Sequence, residues 1–147
     1  RQACLIREPR AMLASLGAKL GDARLEDTGL PQQVEIFRWI EGVTGEAPPV
    51  VEGADIQRDP AGVLAALCAA LGIDYDEAML AWEPGPRTTD GCWGPFWYGN
   101  TYRSTGFAPY AHREVELAPG YEDLAHECQE LYDQLAAHRI TTDTSRA

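Results

Sequence analysis

The hydrophobic pattern changes period at Pro9. Residues 2–7 carry the consecutive apolar side chains of Ala3, Cys4, Leu5 and Ile6 and end in the charge of Arg7, which predicts a short strand. Beyond Pro9, Met12, Leu13, Leu16 and Leu20 recur at helical spacing. They predict a helix from Pro9, a residue preset for the first helical position, to about Leu20, with Gly21 as its stop. A polar link reaches Gly29. Val34, Ile36, Phe37, Trp39, Ile40 and Val43 then predict a second helix buried on a wide face and closed by Thr44 and Gly45. Pro48, Pro49, Val50 and Val51 lead into a second strand ending at Glu52 and Gly53, with Asp55 in the turn that follows.

Asp59 before Pro60 is a helix start, a capping carboxylate followed by a preset proline. Leu64, Leu67, Cys68 and Leu71 supply that helix's inward face, and Gly72 ends it. Asp74 is placed to cap another short helix running to about Trp82. From Glu83 to Ala118 the periodicity disappears, yet Trp93, Phe96, Trp97, Tyr98, Tyr102, Phe107 and Tyr110 all fall there, so the segment predicts an aromatic-rich loop docked on the body. Leu124, Cys128, Leu131 and Leu135 predict a last helix over 119–138. The adjacent apolar pair Leu5 and Ile6 suits a parallel strand covered on both faces, which expects neighbouring strands from upstream residues or another chain. An apolar run so close to Arg1, without an initiator Met, reads as a cut through a longer chain.

Composition narrows the class. With 147 residues, 45% of them hydrophobic and 24% charged, the chain predicts one soluble domain over 1–147. No apolar run approaches the roughly 18 residues needed to span a bilayer, and no leader pattern is visible, so a cytoplasmic location and no membrane partner are expected. A formal charge of -11 opposes a nucleic-acid footprint, which needs clustered Lys and Arg. It leaves room for one small anion, and Arg1, Arg7 and Arg10 gather early. Cys4, Cys68, Cys92 and Cys128 show no Cys-x-x-Cys spacing and read as reduced thiols. His126 and Cys128, two positions apart, diverge on a helix, so no metal site is expected.

The candidate chemistry lies in Arg7-Glu8-Pro9-Arg10 and Ser15. An arginine at the carboxyl end of a strand sits where open α/β sheets bind ligands, and its planar fork with a hydroxyl two turns into the next helix can grip a terminal phosphate. The same residues also suit an arginine paired with a carboxylate and an exposed helix serine. This strand-end Arg-Glu-Pro-Arg with serine eight residues after the first Arg resembles the 3′-phosphate-binding motif of sulfotransferases. Val50 to Asp55, and Pro60 through Leu71-Gly72-Ile73, are similar to that family's next strand and helix. Gly91 to Tyr98 and Ser104 to Phe107 resemble segments of bacterial sulfotransferase-family proteins and plant branched-chain-aminotransferase-like proteins.

The resemblance implies an α/β fold, the C-terminal part of a P-loop-type three-layer α/β/α architecture, mostly helical in this segment with two short parallel strands. It also implies that Arg7 and Ser15 hold the 3′-phosphate of 3′-phosphoadenosine 5′-phosphosulfate, the sulfuryl donor, for transfer to a small-molecule acceptor. Arg87 is the candidate to stand in for the family's late basic loop. The family's phosphate loop and upstream catalytic residue have no match, so no catalytic residue is assigned and the chain alone is expected to be inactive. Aminotransferase activity is not carried over, because no lysine stands in a setting suited to a Schiff base. His112 is a candidate base or an exposed loop histidine; Asp55 and Asp59 read as turn and cap. Two other readings remain: an interaction module that lacks chemistry, and another P-loop-type nucleotide enzyme such as a small-molecule kinase.

Overall fold

The computed structural model describes residues 1–112 and 114–142. Strand β1 (Cys4–Ile6) leads into helix α1 (Pro9–Leu20), then α2 (Leu30–Thr44), strand β2 (Val50–Glu52), α3 (Gly53–Arg58) and α4 (Pro60–Leu71). A short helix α5 (Gly94–Trp97) and the long α6 (Tyr121–Ala136) follow, with single 3-10 turns at Leu25–Thr28, Glu77–Leu80 and Thr101–Arg103. The strands pair in parallel, Cys4 beside Val50 and Ile6 beside Glu52. The described residues are therefore α/β and mostly helical with two short parallel strands, and no helix among them is long and apolar enough to cross a membrane.

The start and stop signals of the sequence hold at two helices. Glu8 accepts the amides of Arg10 and Ala11 at 2.9 and 2.8 Å, starting α1 one residue after Arg7. Asp59 accepts the amide of Gly62 at 2.9 Å, and α4 ends where Gly72 turns left-handed at φ 58°. Helix α6 begins at Tyr121, two residues later than predicted, because Gly120 takes φ 91° and breaks the chain direction there.

The core gathers Cys4, Ile6, Leu13, Phe37, Val50, Cys128 and Leu135 around α6, which packs on α1, α2 and both strands. The Tyr121 hydroxyl fastens α6 to the end of α1, donating to the Gly21 carbonyl and accepting the Ala23 amide, both at 2.9 Å. Past α6, the Ile140 amide bonds the Val50 carbonyl at 2.8 Å and covers part of β2's second edge.

Three expectations need correction. Strand β1 is not covered on both faces: Cys4 and Ile6 are buried while Leu5 is 59% exposed, the alternation of a sheet packed on one side. Helix α2 buries a narrow stripe of Leu30, Val34, Phe37 and Ile40, leaving Ile36, Trp39 and Val43 exposed, because its packing partners, chiefly α6, lie along one side of it. Instead of a helix from Asp74 to Trp82 there is one 3-10 turn, capped by Asp76 on the Ala78 amide at 2.8 Å. The segment 83–118, expected as a docked aromatic-rich loop, carries α5 and the 3-10 turn at Thr101–Arg103. Its start is strapped to its later half by an Ala81–Gly106 bridge, by Trp82 amide to Thr105 carbonyl at 3.0 Å, and by the Trp82 ring edge-on to Phe107 at 5.2 Å.

Candidate anion-binding cleft

Parallel strands end together, and the helices that follow them splay apart to leave a recess at their carboxyl ends. Here the recess has a volume of about 270 Å³, and Leu5, Ile6, Arg7, Met12, Gln33 and Gly53 are among the residues that form it. Its walls are largely hydrocarbon. Gln33 closes the outer side by donating from its amide to the Leu5 carbonyl at 3.0 Å. At Gly53 the start of α3 lies against β1, its side-chain position in ordinary contact with the Ile6 carbonyl at 3.7 Å.

Arg7 lines this cleft, is exposed, and makes neither an ion pair nor a hydrogen bond with the described residues. Its neighbours in sequence are occupied: Glu8 caps α1, and Arg10 forms an exposed two-pronged pair with Glu122 at 2.8 and 3.1 Å. That pairing holds the Glu122 carboxyl below the usual range. Ser15 lies on α1 one turn beyond Met12, on the same side of the helix, exposed and without a hydrogen-bond partner, but outside the cleft lining itself. Arg87 stands apart. Its guanidinium donates to the Glu83 carbonyl at 3.1 Å and its amide to Asp90 at 2.6 Å, so it shapes its own turn.

The aromatic segment reaches the body through cations. Lys19, the single lysine of the sequence, donates to the Phe96 carbonyl at 2.6 Å and sits 4.7 Å from the centre of the Trp97 ring. Arg58 stacks on Tyr110 at 4.0 Å. His112 is exposed, with Tyr110 as its neighbour at 3.4 Å. No group of three His, Cys, Asp or Glu among the described residues is arranged to hold a metal. His126 faces solvent while Cys128 is buried.

Sequence reasoning missed Glu52, which is 3% exposed. Its two oxygens accept the Tyr132 hydroxyl at 2.8 Å and the Ala54 amide at 3.3 Å. Burial first, then this bond, pushes the Tyr132 hydroxyl far above the ordinary tyrosine range. The strand's period of two does not reveal it, since Val50, Val51 and Glu52 are all buried and both parities look alike.

The described residues are an α/β segment with an arginine at the carboxyl end of a parallel strand pair. A family model described as a sulfotransferase domain matches residues 2–138, and the chain belongs to that family. Two proteins of Arabidopsis thaliana are similar to it: branched-chain-amino-acid aminotransferase-like protein 2, 34% identical over 134 residues, and branched-chain-amino-acid aminotransferase-like protein 1, 33% identical over 134 residues. Each match covers 91% of this chain and 24% of the relative, so the chain spans about a quarter of the length of these curated relatives. No solved structure matches it.

Proposed function

We propose that the cleft beside Arg7 holds the 3′-phosphate of 3′-phosphoadenosine 5′-phosphosulfate, in a protein that transfers the sulfuryl group to a small-molecule acceptor. One observation carries the reading: in a chain with 23 acidic and 12 basic residues, the arginine at the end of β1 has no carboxylate partner among the described residues. An unpaired guanidinium offers paired, charge-assisted donors, and a phosphate is the planar fork's natural complement. The hydrocarbon walls keep the phosphate at the rim, because burying a charge without partners is costly. Ser15 extends the grip along α1 by one neutral donor.

The residues present fit one end of the donor. The single lysine is engaged at Phe96 and Trp97, so the phosphosulfate end falls to groups other than Lys19. The exposed rings of Trp93 and Phe96 form a surface suited to an apolar acceptor. Calorimetry with adenosine 3′,5′-bisphosphate and with 5′-AMP tests the reading. Selective binding of the bisphosphate is expected; equal affinity for the two defeats it. The exposed stripe of Ile36, Trp39 and Val43 on α2 favours a second reading, an interaction module, and that reading gains if neither nucleotide binds.

A further inference from the structure

Residues 83–103 form a loop that is knit to itself. The Ala81–Gly106 bridge closes its base, the Gly85 amide bonds the Tyr102 carbonyl at 2.8 Å, and the Tyr98 ring stands edge-on to Tyr102 at 6.1 Å. Its rings do not sink into the core. Trp93, Phe96, Trp97 and Tyr98 are all exposed, Phe96 at 72%. Among the described residues, every hydrogen bond and ring contact from this loop to the rest of the chain outside its base ends on one side chain, Lys19. One ammonium thus holds both a carbonyl and a ring face of α5. The post it stands on is firm, because Gly17 lies against the Tyr121 ring of α6 and the Gly21 carbonyl accepts the Tyr121 hydroxyl at 2.9 Å.

We propose that Lys19 is a positioning residue: it latches the self-folded aromatic loop to the end of α1 and so fixes where the exposed rings stand. The physical logic is that of a single tether. A segment with little buried surface has low local stability, and its place is set by whatever few bonds tie it down. Here both ties pass through one cation, so a neutral side chain of similar length loses both together. The latch also sets a direction. Lys19 lies four residues beyond Ser15, on the same face of α1 and about 6 Å farther along its axis, so the rings are held on the side of the helix that carries Ser15. That these rings receive an acceptor rests on the reading given under the proposed function; the latch itself rests on the contacts of Lys19.

The test places a nitroxide on Cys92, the exposed cysteine of this loop where Cys4, Cys68 and Cys128 are buried, in wild type, Lys19→Met and Lys19→Arg. The spin-resonance line shape separates a held loop from a free one. Thermal melts, and the affinity of the unlabelled proteins for 2-naphthol as an aromatic probe, are measured alongside. Lys19→Met is expected to raise the ratio of mobile to immobile label about tenfold, the size of one cationic tether, with the melting midpoint unchanged. Lys19→Arg is expected to keep the label held, because a guanidinium also meets a carbonyl and a ring face. The affinity for 2-naphthol is expected to fall in Lys19→Met and to return in Lys19→Arg. An unchanged line shape in Lys19→Met overturns the inference, as does a mobile label in Lys19→Arg or a 2-naphthol affinity that ignores the line shape. A lowered midpoint in both variants overturns it too, since Lys19 would then serve α1 itself. If the line shapes follow expectation and wild type does not bind 2-naphthol, the acceptor surface fails and the latch stands.

Discussion

Gly94 shows how tightly single residues are set in the aromatic segment. A side chain there would collide with the Tyr102 hydroxyl, which is raised above the usual tyrosine range by burial and by its bond to Asp90. The obstacle is the end of a rigid ring. Gly94→Ala is expected to cost about 1–3 kcal/mol through overpacking. Thermal unfolding checks it, and an unchanged midpoint would mean that the segment yields without cost. At the same scale, the position of Arg7 just past the first strand was readable from sequence, from the apolar run before it and the proline that starts the next helix. Glu52 was passed over as a strand terminator, and parity could not mark it, because β2 is buried at every position. Its partner Tyr132 lies 80 residues away in sequence, and no local pattern could pair them.

At the scale of elements, proline, aspartate and glycine gave the starts and stops of α1 and α4, since capping is a local interaction written in neighbouring residues. Burial was harder to foresee. Which of the apolar positions of α2 face inward depends on where α6 packs, so Ile36, Trp39 and Val43 belonged to the predicted face yet lie outside it. The docking of segment 83–118 was foreseen from its aromatics, but its straps were not, since the Ala81–Gly106 bridge and the Trp82–Phe107 contact join residues 25 positions apart. Helix α6 also carries a pH dependence. Tyr132 keeps its proton in the folded state well beyond the usual value of 10.0, whereas the unfolded chain releases it there. Its contribution is therefore fully present below pH 10 and is lost as the pH rises above it. Urea unfolding between pH 9 and 11 is expected to show stability falling more steeply in wild type than in Tyr132→Phe. The difference stays under the one-proton limit of about 1.4 kcal/mol per pH unit, because the ring is partly exposed. Identical slopes would show that Tyr132 ionises as freely folded as unfolded.

At the scale of the whole molecule, a strongly acidic chain presents, where its two strands end, an arginine without a partner among the described residues, with α1 beginning beside it. The proposed grip on one phosphate rests on this placement of Arg7 together with membership of the sulfotransferase-domain family. The most direct measurement is the affinity of Arg7→Ala and Ser15→Ala for adenosine 3′,5′-bisphosphate against 5′-AMP, with thermal melts of the unliganded variants alongside. Arg7→Ala is expected to lose about 1.5–3 kcal/mol for the bisphosphate and almost nothing for 5′-AMP, and Ser15→Ala to show the same selectivity at about half the size. Equal losses for both nucleotides, or an undiminished preference for the bisphosphate without Arg7, would contradict it.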